Sequence, residues 1–154
     1  MATVRVQTAD FDLGAEFAAL TAGRTDIGGV GSFIGTVRDT AAGRPITAMT
    51  LEHYPGMTER ALAAIAAEAE QRWNLLGCAL IHRVGRLAPG EAIVLVLAAA
   101  PHREAALQAT SFLIDWLKTR APFWKKECFA DGSEAWVAAS DADDAATARW
   151  IKQD

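Results

Sequence analysis

The amino-acid sequence predicts an α+β fold on three observations. Strand-like and helix-like segments follow one another in mixed order, without the regular βαβ alternation of a doubly wound sheet. Residues Thr58 to Trp73 carry one apolar stripe at helical spacing, formed by Leu62, Ile65, Ala66, Ala69 and Trp73. Residues Ala92 to Ala100 are apolar throughout, as a strand covered on both faces must be. The chain has 154 residues, 51% hydrophobic and 22% charged, and no internal repeat or low-complexity linker divides it. It is therefore read as a single domain over residues 1–154, large enough to bury a core without disulfide or metal.

Residues 3–7 (TVRVQ) alternate like a short strand. Asp12 offers an N-cap to a helix whose apolar positions are Leu13, Phe17 and Leu20, ended by the loop at 25–29. Two strand-like runs follow, Val30 to Val37 and Ile46 to Tyr54; the polar stretch 38–45 between them reads as a loop joining antiparallel neighbours. After the 58–73 helix, strands at Cys78 to Val84 and Ala92 to Ala100 flank the turn Ala88-Pro89-Gly90, and the second belongs at the centre of a sheet. A helix over His102 to Arg120 presents Ala106, Ala109, Thr110, Leu113, Ile114 and Leu117 on one face. It must stop near Ala121, because Pro122 disfavours helical geometry in the residue before it, so Lys118 falls in the last turn. Beyond lie an aromatic and basic run, Phe123 to Cys128, a turn at Asp131-Gly132 and a return strand around Ala135 to Ala139. Ser140 and Asp143 then form a capping box for a C-terminal helix.

The net charge of -4 argues against a general nucleic-acid binder, which needs a cationic surface to displace counterions from phosphates. Between Pro101 and Lys126, however, the cations Arg103, Lys118, Arg120, Lys125 and Lys126 face only two acids, Glu104 and Asp115. So concentrated a patch suits a small anion better than a polymer. The N-terminus lacks an apolar core of signal-peptide length, and the run from Ala92 to Pro101 is too short to span a bilayer. The chain is accordingly read as soluble and cytoplasmic, with no membrane contact.

Cys78 and Cys128 belong to no CxxC pair or Cys/His cluster, so they read as small buried hydrophobes, and no metal site is expected. No nucleophile elbow is present, and Gly28-Gly29-Val30-Gly31 precedes a strand where phosphate-binding loops precede a helix. These glycines are read as turn and close-packing residues. His53 and His82 read as hydrogen-bonded structural histidines, and the five tryptophans as core or subunit contacts. What remains is a set of cations at element ends: Arg38, His102, Arg103, Lys118 and Lys125. A helix beginning near His102 adds unpaired N–H groups to such an anion site, and arginine grips phosphate with two parallel hydrogen bonds. The alternative is a solvated basic face whose lysines complement a helix dipole.

Five blocks carry a closer resemblance: FIGTVRD (Phe33 to Asp39), LEHYPGMTERAL (Leu51 to Leu62), IHRVGRLAPGE (Ile81 to Glu91), the Pro101-His102-Arg103 junction, and DWLKTRAPFWKKE (Asp115 to Glu127). Together they resemble the large, catalytic subunit family of molybdopterin synthase, from about residue 28 to 128. The resemblance implies an α/β hammerhead-type fold with an antiparallel or mixed sheet and flanking helices. It also implies a homodimer of large subunits within a heterotetramer, completed by a small ubiquitin-like sulfur carrier whose Gly-Gly tail enters each active site. The carrier's C-terminal thiocarboxylate would donate sulfur to cyclic pyranopterin monophosphate, and two transfers would build the dithiolene of molybdopterin, with no cofactor required. By the same resemblance Lys118 and Lys125 are the catalytic pair, and Arg38, His102 and Arg103 hold pterin and phosphate, with Lys126 and Glu127 nearby. Many relatives carry a basic residue shortly after the tryptophan at position 136, where this chain reads Val137-Ala138-Ala139-Ser140. A lysine with a proton affinity lowered by neighbouring cations can move protons, and a charged one can stabilise an opening cyclic phosphate; the sequence leaves both roles open for Lys118 and Lys125. A non-enzymatic module binding a phosphorylated metabolite and a partner protein is the competing reading, and a lysine Schiff-base enzyme a third.

Overall fold

The computed structural model describes residues 2–138 and 140–151, and its strands divide between two sheets. The first contains β1 (Ala2–Gln7), β2 (Gly29–Thr36), β5 (Gly77–Arg83) and β7 (Ala92–Ala100), in the order β1-β5-β7-β2. β1 runs parallel to β5 and the other pairs are antiparallel, so the sheet is mixed. The second contains β3 (Thr40–Ala41), β4 (Arg44–His53), β8 (Phe123–Phe129) and β9 (Glu134–Val137) in chain order, with β6 (Gly85–Leu87) also paired to β4.

β7 lies inside the first sheet, as its unbroken apolar run requires, and the pleat divides that run between two cores. Val94 and Val96, with Cys78 and Leu80 of β5, face a large cluster with Leu62, Ile65, Ala66, Phe112 and Leu113. These last residues come from α2 (Met57–Trp73) and α3 (Arg103–Thr119). Leu95 and Leu97, with Ala79 and Ile81, face the other way, against Phe11 and Leu20. Leu20 belongs to α1 (Leu13–Thr21), whose Asp12 carboxylate accepts a 3.0 Å hydrogen bond from the Ala15 N–H, as expected of an N-cap. β2 meets α3 with almost no gap: a Cβ on Gly28 would lie 1.9 Å from the Pro101 carbonyl oxygen, and one on Gly31 lies 2.5 Å from that of Ala106. The close-packing reading of these glycines is therefore correct.

Three expectations need correction. β2 and β4 are not neighbours but lie in different sheets. Their connection holds a hairpin of its own, in which Ala42 and Gly43 at positive φ form the two-residue turn between β3 and β4. The run at 85–87 pairs with Met49, Thr50 and Leu51, and three residues are too few for a periodic signal. The return strand is Glu134–Val137, and the Ala139 end of its expected span lies outside the described residues. Trp73 and Trp150 pack on the main core beside Phe112, whereas Trp136 is 61% exposed and Trp124 half-exposed, so of the two readings given to the tryptophans only subunit contact applies to this pair. No described helix is long and apolar enough to cross a membrane.

Candidate active site

α3 ends where the sequence places its stop. The N–H groups of Arg120 and Ala121 both reach back to the Trp116 carbonyl, and the Phe123 N–H donates to the Ala121 carbonyl at 2.8 Å, a three-residue turn centred on Pro122. The wholly buried Thr58 secures this turn, since its hydroxyl donates to the Pro122 carbonyl at 3.4 Å and accepts from the Tyr54 N–H at 3.1 Å. Reversal within so few residues brings the last turn of α3 over the start of β8. Lys118 and Lys125 consequently line one cavity of about 570 Å³.

The cavity draws on elements far apart in sequence. Arg38 enters from the β2–β3 connection, Met49 from β4, Phe123, Lys125 and Glu127 from alternate positions of β8, and Ser140 and Asp143 from the start of α4 (Asp141–Ala148). Burial acts first on Lys125, and the charge of Lys118 with a hydrogen bond to it acts next; together they push the ammonium down to about 8, against the pull of Asp143 and Glu127. Beneath Phe123 lies His82, its ring stacked at 3.9 Å and its Nδ1 2.8 Å from the Arg83 carbonyl oxygen. Burial, reinforced by the two lysines, lowers His82 to about 3, so the ring stacked behind Phe123 is a neutral imidazole. This agrees with the structural reading of that histidine.

The expected site residues fall into three groups. Arg38, Lys118, Lys125 and Glu127 line the common cavity. Lys126 does not, because successive strand residues point to opposite faces; its ammonium lies 3.2 Å from the Glu134 carboxylate and 5.5 Å from the Trp136 ring centroid. His102 and Arg103, both exposed, stand at the N-terminus of α3, where His102 is the cap residue. At 1.5 Å of rise per residue, Arg103 is about 22 Å along the helix from Lys118. One copy of the chain therefore does not bring them to the lysines. Arg120 turns away as well, into a groove with Trp116 and Trp150. Sequence reasoning missed Met49, Thr58 and Asp143. Met49 carries no chemical signal, and Asp143 was recognised only as a helix-capping residue. Of the stretch after Trp136 where the resemblance leads one to expect a cation, Val137, Ala138 and Ser140 line the cavity, and the Ser140 hydroxyl caps α4 by accepting from the Asp143 N–H at 3.0 Å.

The cysteines are buried, as the sequence predicts, and burial pushes the Cys78 thiol up to about 12. A thiol held protonated in this way is a poor sulfur carrier.

Comparison with known proteins identifies what this arrangement is similar to. The family model described as MoaE protein matches residues 6–120. A protein of Ralstonia nicotianae named molybdopterin synthase catalytic subunit is 58% identical over 97% of this chain and 85% of its own length. The structure of a molybdopterin biosynthesis MoaE protein from Burkholderia ambifaria superposes with a TM-score of 0.83 at 56% identity, covering 97% of this chain and 98% of that one. A crystal structure of molybdopterin synthase from Staphylococcus aureus contains a chain that superposes at 0.79 with 27% identity, over 86% of this chain and 95% of that one.

Proposed function

The chain belongs to the MoaE protein family, and on that premise we propose that it is the catalytic subunit of a molybdopterin synthase, transferring sulfur from the C-terminal thiocarboxylate of a small carrier subunit to cyclic pyranopterin monophosphate. The observation that carries this reading is the convergence of Arg38, Lys118 and Lys125 on one cavity. A phosphate-bearing substrate and an anionic tail both require cations, and the chain's own thiols are unsuited to carrying sulfur. A sulfur-bearing partner is needed, which the designation of the curated relatives as one subunit of a synthase supports. The reaction is assigned to the cytoplasm.

In this reading the cavity holds the thiocarboxylate beside the reacting side-chain carbon of the pterin, and positioning of that kind lowers the barrier by several kcal/mol. Arg38 and Lys118 stabilise the negative charge that develops as the cyclic phosphate opens. Lys125, with its proton affinity brought to about 8, exchanges a proton near neutral pH. Glu127 lines the cavity beside it. Incubating the chain with a thiocarboxylated carrier and the cyclic pterin is expected to yield, by mass spectrometry, a dithiolene product with an opened phosphate. Pterin binding without any sulfur-containing product would favour the non-enzymatic module instead.

His102 and Arg103 are proposed to serve the substrate from a second copy of the chain, because their own helix holds them far from their own lysines. Mixing inactive Lys118→Ala and Arg103→Ala chains tests this. Random exchange between dimers should restore about a quarter of wild-type sites, those composed of one intact lysine pair and one intact Arg103. Restoration is absent if each copy works alone.

A further inference from the structure

An anion-binding cavity gains nothing from carboxylates for their own sake, yet Glu127 and Asp143 both line this one. We propose that Asp143 is a positioning residue for Lys125, its carboxylate helping to hold that side chain charged from across the cavity. The proposal rests on the sulfur-transfer reading and deepens the account of the same site.

Asp143 is held where it is by the way α4 is fastened to α3. The Thr147 hydroxyl donates to the Asp115 carbonyl at 2.9 Å and lies 2.8 Å from the Thr119 hydroxyl. Arg149 and the Trp150 indole donate to the Asp115 carboxylate at 2.9 and 2.7 Å. The hydrogen-bonded cap of α4 uses the backbone N–H of Asp143, not its side chain, and Asp141 and Asp144 also place acids in the first turn, so the helix start does not depend on the Asp143 carboxylate alone. That carboxylate faces a cavity shared with the other charged groups around Lys125. Lys118 of α3 and Arg38 of the β2–β3 connection bring positive charge, Glu127 of β8 brings negative charge on the same strand face, and His82 of β5 is neutral. Burial and Lys118 oppose the Lys125 ammonium; Asp143 supports it, and does so more strongly than Glu127. No ion pair within 4.0 Å joins Lys125 to a carboxylate among the described residues. An incoming anion can thus take the ammonium without first breaking a salt bridge.

The test follows Lys125 directly in the full chain, by the pH dependence of its acetylation measured on the tryptic peptide. In Asp143→Asn the midpoint should fall from about 8 by on the order of half a pH unit or more, since an opposite charge lining the same cavity has been removed. Asp143→Glu should recover most of the shift. In complex with a thiocarboxylated carrier, the alkaline limb of the single-turnover rate should move with the midpoint. A helix capped through the backbone keeps its structure in both variants, which circular dichroism checks. Superimposable titrations of Asp143→Asn and wild type overturn the proposal, as does an equal shift in Asp143→Glu. Absence of sulfur transfer in the wild-type complex counts against the sulfur-transfer reading alone, because the acetylation titration needs no turnover.

Discussion

Lys118→Ala is expected to lose on the order of 100-fold or more in single-turnover sulfur transfer while still forming the complex with its carrier, the scale of a removed electrostatic or acid-base group. The expectation follows from where the side chain is anchored. Lys118 projects from the last turn of α3 into the cavity, held by the Pro122 turn and the Thr58 hydrogen bonds beneath it. Lys118→Arg should fail almost as badly. Guanidinium keeps the charge, but its planar fork is longer and bulkier than an ammonium, and it cannot make the same close approach to Lys125. If charge alone mattered, arginine would retain much of the rate. Gel filtration with the carrier separates loss of chemistry from loss of assembly, and near-wild-type turnover in Lys118→Ala refutes the catalytic role.

Lys125→Met should remove sulfur transfer and, at the same time, make the folded chain more stable at neutral pH. The sign follows from the direction of the shift. Lys125 falls from 10.5 to about 8 on folding, so below pH 8 the folded chain carries on its buried amine a proton that the unfolded chain binds more tightly. The shift corresponds to roughly 3 kcal/mol of folding free energy lost at neutral pH. This penalty is fully present below about pH 8 and is relieved as pH rises toward the unfolded value. Urea denaturation should therefore find Lys125→Met more stable by about 2–3 kcal/mol at pH 7, with the advantage shrinking between pH 8 and 10. A variant less stable than wild type at pH 7, or a difference that does not change with pH, contradicts a buried ammonium at this position. The methionine side chain fills similar space without the charge, so a cavity does not confound the comparison.

Local signals were enough wherever one residue type dictates geometry. Pro122 announced the end of α3 and so placed Lys118 in its last turn, Asp12 and Ser140 announced helix starts, and the run from Ala92 to Ala100 announced an inner strand. Pairing between distant segments left no such mark. Nothing in residues 30–54 shows that β2 joins β7 while β4 joins β8, because partner choice is settled by packing of the whole chain. The segment at 123–129 read as an aromatic and basic run, and only its strand geometry separates Lys125 and Glu127 from Lys126. Resemblance grouped His102 and Arg103 with Lys118, but a helix places them at opposite ends. Asp143 and Met49 reach the cavity through tertiary structure alone, Asp143 by way of the contacts between α3 and α4.

The central claim is that sulfur passes from the carrier's thiocarboxylate to the pterin in the Arg38, Lys118 and Lys125 cavity, without residence on this chain. Rapid-quench single turnover with a carrier bearing sulfur-34 in its thiocarboxylate tests it most directly. The account predicts that wild-type chain delivers only sulfur-34 to the pterin, that Lys118→Ala delivers almost none on the same timescale, and that no label appears on Cys78 or Cys128. Unlabelled sulfur in the product, label on either cysteine, or undiminished transfer by Lys118→Ala would contradict it.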